Sequence, residues 1–200
     1  MTSAALAQFD DNMARVATMV ALHANLKRQT TAAIDVSDIL RACHMMAVSA
    51  VDHYIHEIAR EGMMQIFDGS RAATPAYHRF RLSMRCLTAQ DTQRRSSIEA
   101  DIREQHSYLS FQQPDKIADA VRLIAELKLW DEVASLMGST AKDVKDQVVL
   151  IVDRRNKIAH EADLDPTYPN TRWPINGQDI EDTISFLKEV ILAIDMLVNP

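Results

Sequence analysis

Apolar side chains recur every three or four residues along most of the chain, the period of helices with one face turned inward. Leu6, Phe9, Met13, Val16, Val20 and Leu26 form one such stripe over residues 3–29. A cap-rich stretch with Thr30, Thr31, Asp35 and Ser37 then opens a second segment that runs to Phe67. In it Ile39, Leu40, Cys43, Met46, Ala47, Val51, Tyr54, Ile55, Ile58, Met63 and Ile66 cover most of the circumference, as in a helix enclosed by others at the centre of a bundle. Asp68-Gly69-Ser70 ends it. Shorter helices are predicted over 75–87, 91–109 and 114–127, the last opened by Pro114-Asp115. A brief helix from Trp130 to Met137 follows, closed by Gly138. Ser139-Thr140 caps a strong helix reaching about Ala162, and a proline-bearing loop over 163–177 leads into a final helix from Gln178 to Val198.

Composition agrees with that string of helices. Four glycines and 6% aromatic residues are too few for hairpins and sheets, whereas 47% hydrophobic residues are enough for a core. Two hundred residues suit one domain. The expected division is an N-terminal helix (1–34), a central helix (35–68), an insert of short helices (69–138), and a last part (139–200) holding the strong helix, its loop and the C-terminal helix. The expectation is therefore an all-α, up-and-down bundle.

Charge narrows the partners. The net charge of −6 argues against a general DNA-binding protein or one that binds anionic membranes. No recognition helix with a basic face is visible, so no DNA is expected. The balance is uneven: residues 60–103 hold eight Arg, no Lys and five acids, a local net of +3. Arginine suits bidentate phosphate contact; the plainer alternative is a set of solvated arginines on exposed helix faces. Cys43 and Cys86 lack metal-ligand or redox spacing and read as free thiols of a reducing cytoplasm. The first residues lack the basic start of a signal peptide, and no apolar run of 18 residues exists, so a cytoplasmic protein without a membrane segment is expected.

The segment Asp153-Arg-Arg-Asn-Lys-Ile-Ala-His160 carries the most chemistry. At 100° per residue, Val148, Ile151, Val152, Ile158, Ala159 and Ala162 converge on one stripe. Arg155 falls near its middle, Asn156 on its flank and His160 just beyond, while Arg154, Lys157 and Glu161 project to the opposite side. A guanidinium on an apolar stripe needs a partner, because burying it alone costs several kcal/mol, roughly. That partner is an acid within the bundle, a cleft, or a second subunit.

Arg155-Asn156-Lys157-Ile158-Ala159-His160 resembles the R-x4-6-H motif, with a polar residue after the Arg, of the HEPN superfamily of helical RNases and RNA-associated domains. Residues 150–164, the loop 166–175 and Ala47–Glu57 extend the likeness to the subgroup called RiboL-PSP-HEPN, over about residues 35–200. The resemblance implies a HEPN-like bundle with additional N-terminal and middle helices. It implies a metal-independent endoribonuclease acting as a homodimer on RNA, of the kind found among toxins and defence effectors, or else a non-catalytic module that binds RNA or a protein partner such as an antitoxin. In the catalytic case His160 is the acid/base, a role open to an imidazole whose ordinary pKa is near 6.5. Arg155 holds the scissile phosphate, and Asn156 orients His160 or the phosphate. The products are 2′,3′-cyclic phosphate and 5′-hydroxyl ends, with no metal or cofactor. Some members carry a Tyr, the target of nucleotidylation by an antitoxin, where this chain has Ala162.

Other residues are weighed beside the motif. Asp52 is a candidate partner for Arg155 or His160, or simply a solvated or capping acid. His53 and His56 lack the recurring Glu-x-x-His of a di-iron bundle, so no metal is expected. Tyr168, Arg172 and Trp173 in the long loop are of the types that stack bases and hold phosphates. The alternative is that Trp173-Pro174 plugs the bundle end.

Overall fold

A computed structural model describes residues 3–31, 33–168 and 170–199. Nine helices lie among them: α1 (Ala4–Gln29), α2 (Asp38–Phe67), α3 (Pro75–His78), α4 (Arg85–Thr88), α5 (Asp91–His106), α6 (Pro114–Arg122), α7 (Leu129–Leu136), α8 (Ala141–His160) and α9 (Gly177–Val198). The described residues form no β-strand, only an isolated bridge between Leu164 and Arg172. The fold is the all-α bundle that the periodicity predicts. α2 is its axis, packed against α1, α5, α6, α8 and α9. Its buried residues include Leu40, Cys43, Ala47, Val51, Tyr54, Ile55 and Met63, which is why its apolar positions go nearly all the way round.

One buried acid of this core is fully provided with donors. Asp195 of α9 accepts hydrogen bonds at Oδ1 from Ser3 Oγ, Tyr54 Oη and Asn199 Nδ2, each 2.9 Å long. Three donors stand in for a counter-ion and tie the start of α1 to α2 and α9. Burial, with the Asp195 carboxylate alongside, pushes the Tyr54 phenol far up, so it remains a donor.

The middle of the chain departs from expectation in two places, for the same reason. The helix expected over 75–87 is two single turns, α3 and α4, because side chains from α5 occupy the backbone between them. Asp101 Oδ2 accepts from the Ser83 amide at 3.0 Å, and Gln105 Nε2 donates to the Arg81 carbonyl at 2.7 Å. The helix expected over 114–127 stops at Arg122, where Thr74 Oγ1 bonds the carbonyls of Arg122 and Leu123, and Arg71 that of Ile124.

The arginine-rich stretch also resolves. Arg60, Arg85, Arg94, Arg95 and Arg103 are all ion-paired with acids, and Arg71 bonds backbone carbonyls. These arginines are engaged within the fold rather than presented as a phosphate-binding face. They include the attachment of α5 to α2, where Arg60 meets Glu99 at 2.7 Å and Arg103 meets Glu57 at 3.0 Å.

Asp52 is neither a solvated nor a helix-capping acid; it anchors a loop. Its carboxylate accepts from the Phe111 amide at 2.6 Å and Gln112 Nε2 at 3.1 Å, fixing the segment that leads into α6. Beside it His56, Phe80 and Phe111 surround His106, which is 3% exposed and has no hydrogen-bond partner at either ring nitrogen. Burial, reinforced by His56, pulls the His106 pKa down to about 4.

Two measurements test this packing. Gly62 lies where α2 passes Ile124, and a Cβ there would stand 2.5 Å from Ile124 Cγ2. Gly62→Ala should therefore cost about 1–3 kcal/mol in urea denaturation despite alanine's better helix propensity. Ile124→Ala should abolish that penalty; an unchanged penalty would refute the contact. His106 stays neutral in the folded chain below the pH at which an unfolded histidine (about 6.5) takes up a proton. Stability should thus be complete above that value and fall as the pH drops from there to about 4. His106→Phe should flatten this slope, measured as Tm against pH.

Candidate active site

α8 begins where Thr140 Oγ1 accepts the Asp143 amide at 3.1 Å, a side-chain N-cap. Val144, Val148, Ile151 and Val152 are buried and fix its rotation. One turn beyond Ile151 come Arg154 and Arg155: at 100° per residue Arg155 continues the line of the buried stripe, and Arg154 lies off its edge. The loop after α8 folds back over one side of the helix only.

That side belongs to Arg154. The expectation that Arg154 projects to solvent is wrong: its Nη2 donates to Asp163 Oδ2 at 2.8 Å and to the carbonyls of Trp173 and Pro174 at 3.3 and 3.2 Å. Burial lowers its pKa, with the Asp163 carboxylate opposing the shift. The same oxygen of Asp163 receives Nε of Arg41 from α2 at 2.7 Å. Arg41 also donates to Ser37 Oγ at 2.6 Å and to the Trp173 carbonyl at 2.9 Å. The side chains of Arg41 and Asp163 are 7% and 0% exposed. Nearby, buried His44 bonds the Ile151 carbonyl through Nε2 at 2.8 Å; a carbonyl can only accept, so Nε2 carries the proton. Burial holds the His44 pKa below its ordinary value.

Arg155 continues the line of the stripe as expected, but it stands where the buried residues end and is half-buried. Among the described residues no carboxylate pairs with it; its Nη1 donates to Asn156 Oδ1 at 3.0 Å. His160, the last residue of α8, is exposed, as are Ala159 and Ala162 at the outer end of the expected stripe. Helix α8 stops two residues short of the expected Ala162, because Ala162 and Asp163 have φ of +51° and +58°. The arrangement is a surface carrying a guanidinium without a counter-ion, an amide bonded to it, and an imidazole one turn on.

The remaining candidates separate. Asp52 lies 11 residues beyond Arg41 along α2, about 16 Å by helical rise, and serves the segment at Phe111. It is not a partner of Arg155 or His160. Arg172 is paired with Asp38 at the start of α2. Trp173 is half-buried; its amide donates to the Asp163 carbonyl at 2.9 Å and Lys157 Nζ lies 5.6 Å from its ring centre. Tyr168 is 62% exposed. Among the described residues no group of three or more His, Cys, Asp or Glu is placed to hold a metal ion, and no helix is long and apolar enough to cross a membrane.

Sequence reasoning missed Arg41, His44 and Asp163. For Arg41 the signal was present: it sits among Leu40, Cys43, His44 and Ala47, a cation on an apolar face that demands a partner just as Arg155 seemed to. Asp163 gave no such signal, since its burial depends on a turn that local pattern does not encode.

The model of the family described as RiboL-PSP-HEPN matches residues 14–199. No curated protein and no solved structure matches the chain.

The two neighbouring arginines should separate in stability. Arg41→Ala breaks a buried pair and should cost about 3–5 kcal/mol. Arg154→Ala, its side chain 23% exposed, should cost less, about 1–3 kcal/mol, while Arg155→Ala should stay within about 0.5 kcal/mol. Urea midpoints decide; a loss in Arg155→Ala equal to that in Arg154→Ala would mean that Arg155 has a structural partner.

Proposed function

The chain belongs to the RiboL-PSP-HEPN family, and on that footing we propose that it is a metal-independent endoribonuclease acting as a homodimer, in the manner of a toxin or defence effector. The observation that carries this reading is the state of Arg155: a half-buried guanidinium with no carboxylate on it among the described residues, bonded instead to Asn156, one turn before the exposed His160. A cation left without an acid by its own fold is available to a phosphate.

Cleavage needs three things. A base must take the proton of the ribose 2′-hydroxyl, an acid must supply one to the leaving 5′-oxygen, and charge on the phosphate must be offset. The nucleophile lies within RNA itself, next to the bond that breaks. The His160 imidazole performs one proton transfer, and its twin in a second copy supplies the other. Arg155 holds the non-bridging oxygens as charge builds on them, while Asn156 fixes the direction of the guanidinium. The 2′-oxygen forms its bond to phosphorus as the 5′-oxygen departs, leaving a 2′,3′-cyclic phosphate and a 5′-hydroxyl. A second copy also suits α8, where Leu150 is 63% exposed. Tyr168 and Trp173 offer aromatic faces to unstacked bases on the following loop.

The test is incubation of the purified protein with RNA in EDTA and analysis of fragment ends. Cyclic phosphate ends that persist in chelator are expected. His160→Ala and Arg155→Ala should each remove about 10²–10⁴ of the rate. Binding of RNA without cleavage under any condition would make this a non-catalytic HEPN module instead.

A further inference from the structure

The motif segment is bracketed by a buried ion pair. Arg154 stands one residue before Arg155 and Asp163 three residues after His160, and the two meet at 2.8 Å. Arg41, which belongs to a different helix, meets the same carboxylate oxygen at 2.7 Å. His160 is therefore not simply the end of α8. It is the last helical residue inside a closed loop of chain whose ends are held by charge.

The loop needs holding. Ala162 and Asp163 are consecutive non-glycine residues in the left-handed region, which persists only where the surroundings over-determine it. Here the Asp163 amide donates to the Lys157 carbonyl at 3.0 Å, and its carbonyl accepts the Trp173 amide at 2.9 Å. Its side chain takes the two guanidinium groups. The last turn of a helix otherwise frays, since its carbonyls lack partners in the next turn. With the chain folded back at Asp163, the Lys157 carbonyl accepts the amides of both Glu161 and Asp163, so the turn bearing His160 is closed.

We infer that Arg41 and Asp163 are positioning residues of this site, fixing the His160 imidazole relative to Arg155 through the buried ion pair that locks the end of α8. The inference rests on the proposed role of Arg155 and His160. Neither positioning residue reaches substrate: Asp163 is fully buried, and Arg41 is spent on Asp163, Ser37 and the Trp173 carbonyl. Their loss should thus lower turnover and leave RNA affinity nearly unchanged.

The experiment uses the full chain with Asp163→Asn, which keeps the shape and removes the charge, and Arg41→Lys, which keeps the charge and loses the fork. Histidine labelled with 13C at Cε1 reports the His160 ring by NMR across a pH titration, assigned with His160→Ala. The exposed His53 and His78 serve as internal controls. RNA cleavage is measured in parallel. Both variants should keep their helical circular dichroism, lose about 10²-fold in kcat, as expected for a misplaced group, and hold KM within about threefold. The His160 resonance should shift or broaden while His53 and His78 do not. A folded variant with wild-type kcat and an unchanged His160 resonance would overturn the proposal, and so would unfolding of both variants, which would make the pair purely structural. Should the wild-type chain cleave no RNA, the nuclease reading fails, and the His160 resonance alone decides the positioning role.

Discussion

A carboxylate taken entirely out of water must be compensated where it sits, and Asp163 sets that constraint here. Its side chain is wholly buried, and one of its oxygens takes both Arg41 and Arg154. To bring them there, α2 and α8 must cross with a fixed register, and the chain after His160 must turn sharply back. The same two arginines then satisfy the carbonyls of Trp173 and Pro174, which closes the loop onto the bundle. Such a network adds little net stability compared with an apolar core of the same shape. It does penalise any arrangement that leaves one member alone.

That same selection explains the asymmetry of the two motif arginines. They share one turn of α8, one in line with its buried stripe and one beside it, and the returning loop covers only the second. Arg154 is taken up by the fold. Arg155 is left with an amide for company and an open surface in front of it. The chemistry proposed for the site follows from what the fold does not neutralise.

Much of this was legible in the sequence. The all-α class, the central position of α2, the cap at Thr140 and the family likeness carried by residues 150–164 all follow from period, composition and local motif. Less legible were boundaries set by contacts from afar, such as the end of α6, which side chains at Arg71 and Thr74 dictate. Asp52 was one candidate partner for the motif beside a solvated or capping role, because its position on the helix allowed it; three turns of α2 separate it from the place where that partner is needed. Arg154 and Arg155 differ by 100° on a helical wheel, and a wheel cannot say which flank a loop will cover. By composition the arginine-rich middle allowed a phosphate surface or solvated helix faces; composition does not show which acids come close in space, as Glu57 does to Arg103.

The attachment of α5 illustrates how differently two parts of one chain can be held. Only Ile98 and Ile102 of its apolar side chains are buried; beside them and His106, its grip on α2 is the lattice of Arg60, Arg95 and Arg103 with Glu57, Asp68 and Glu99. The outer pairs of that lattice, made by Arg95 and Arg103, are exposed and screened within about 8 Å at physiological ionic strength, whereas Arg60 is shielded and the contacts around α2, α8 and α9 are mostly apolar. Ionic strength therefore acts on this molecule selectively: it weakens the outer pairs of the middle segment and has little to act on at the end of the bundle that bears His160. The two halves share a backbone and a core, but they answer to different properties of the surrounding water.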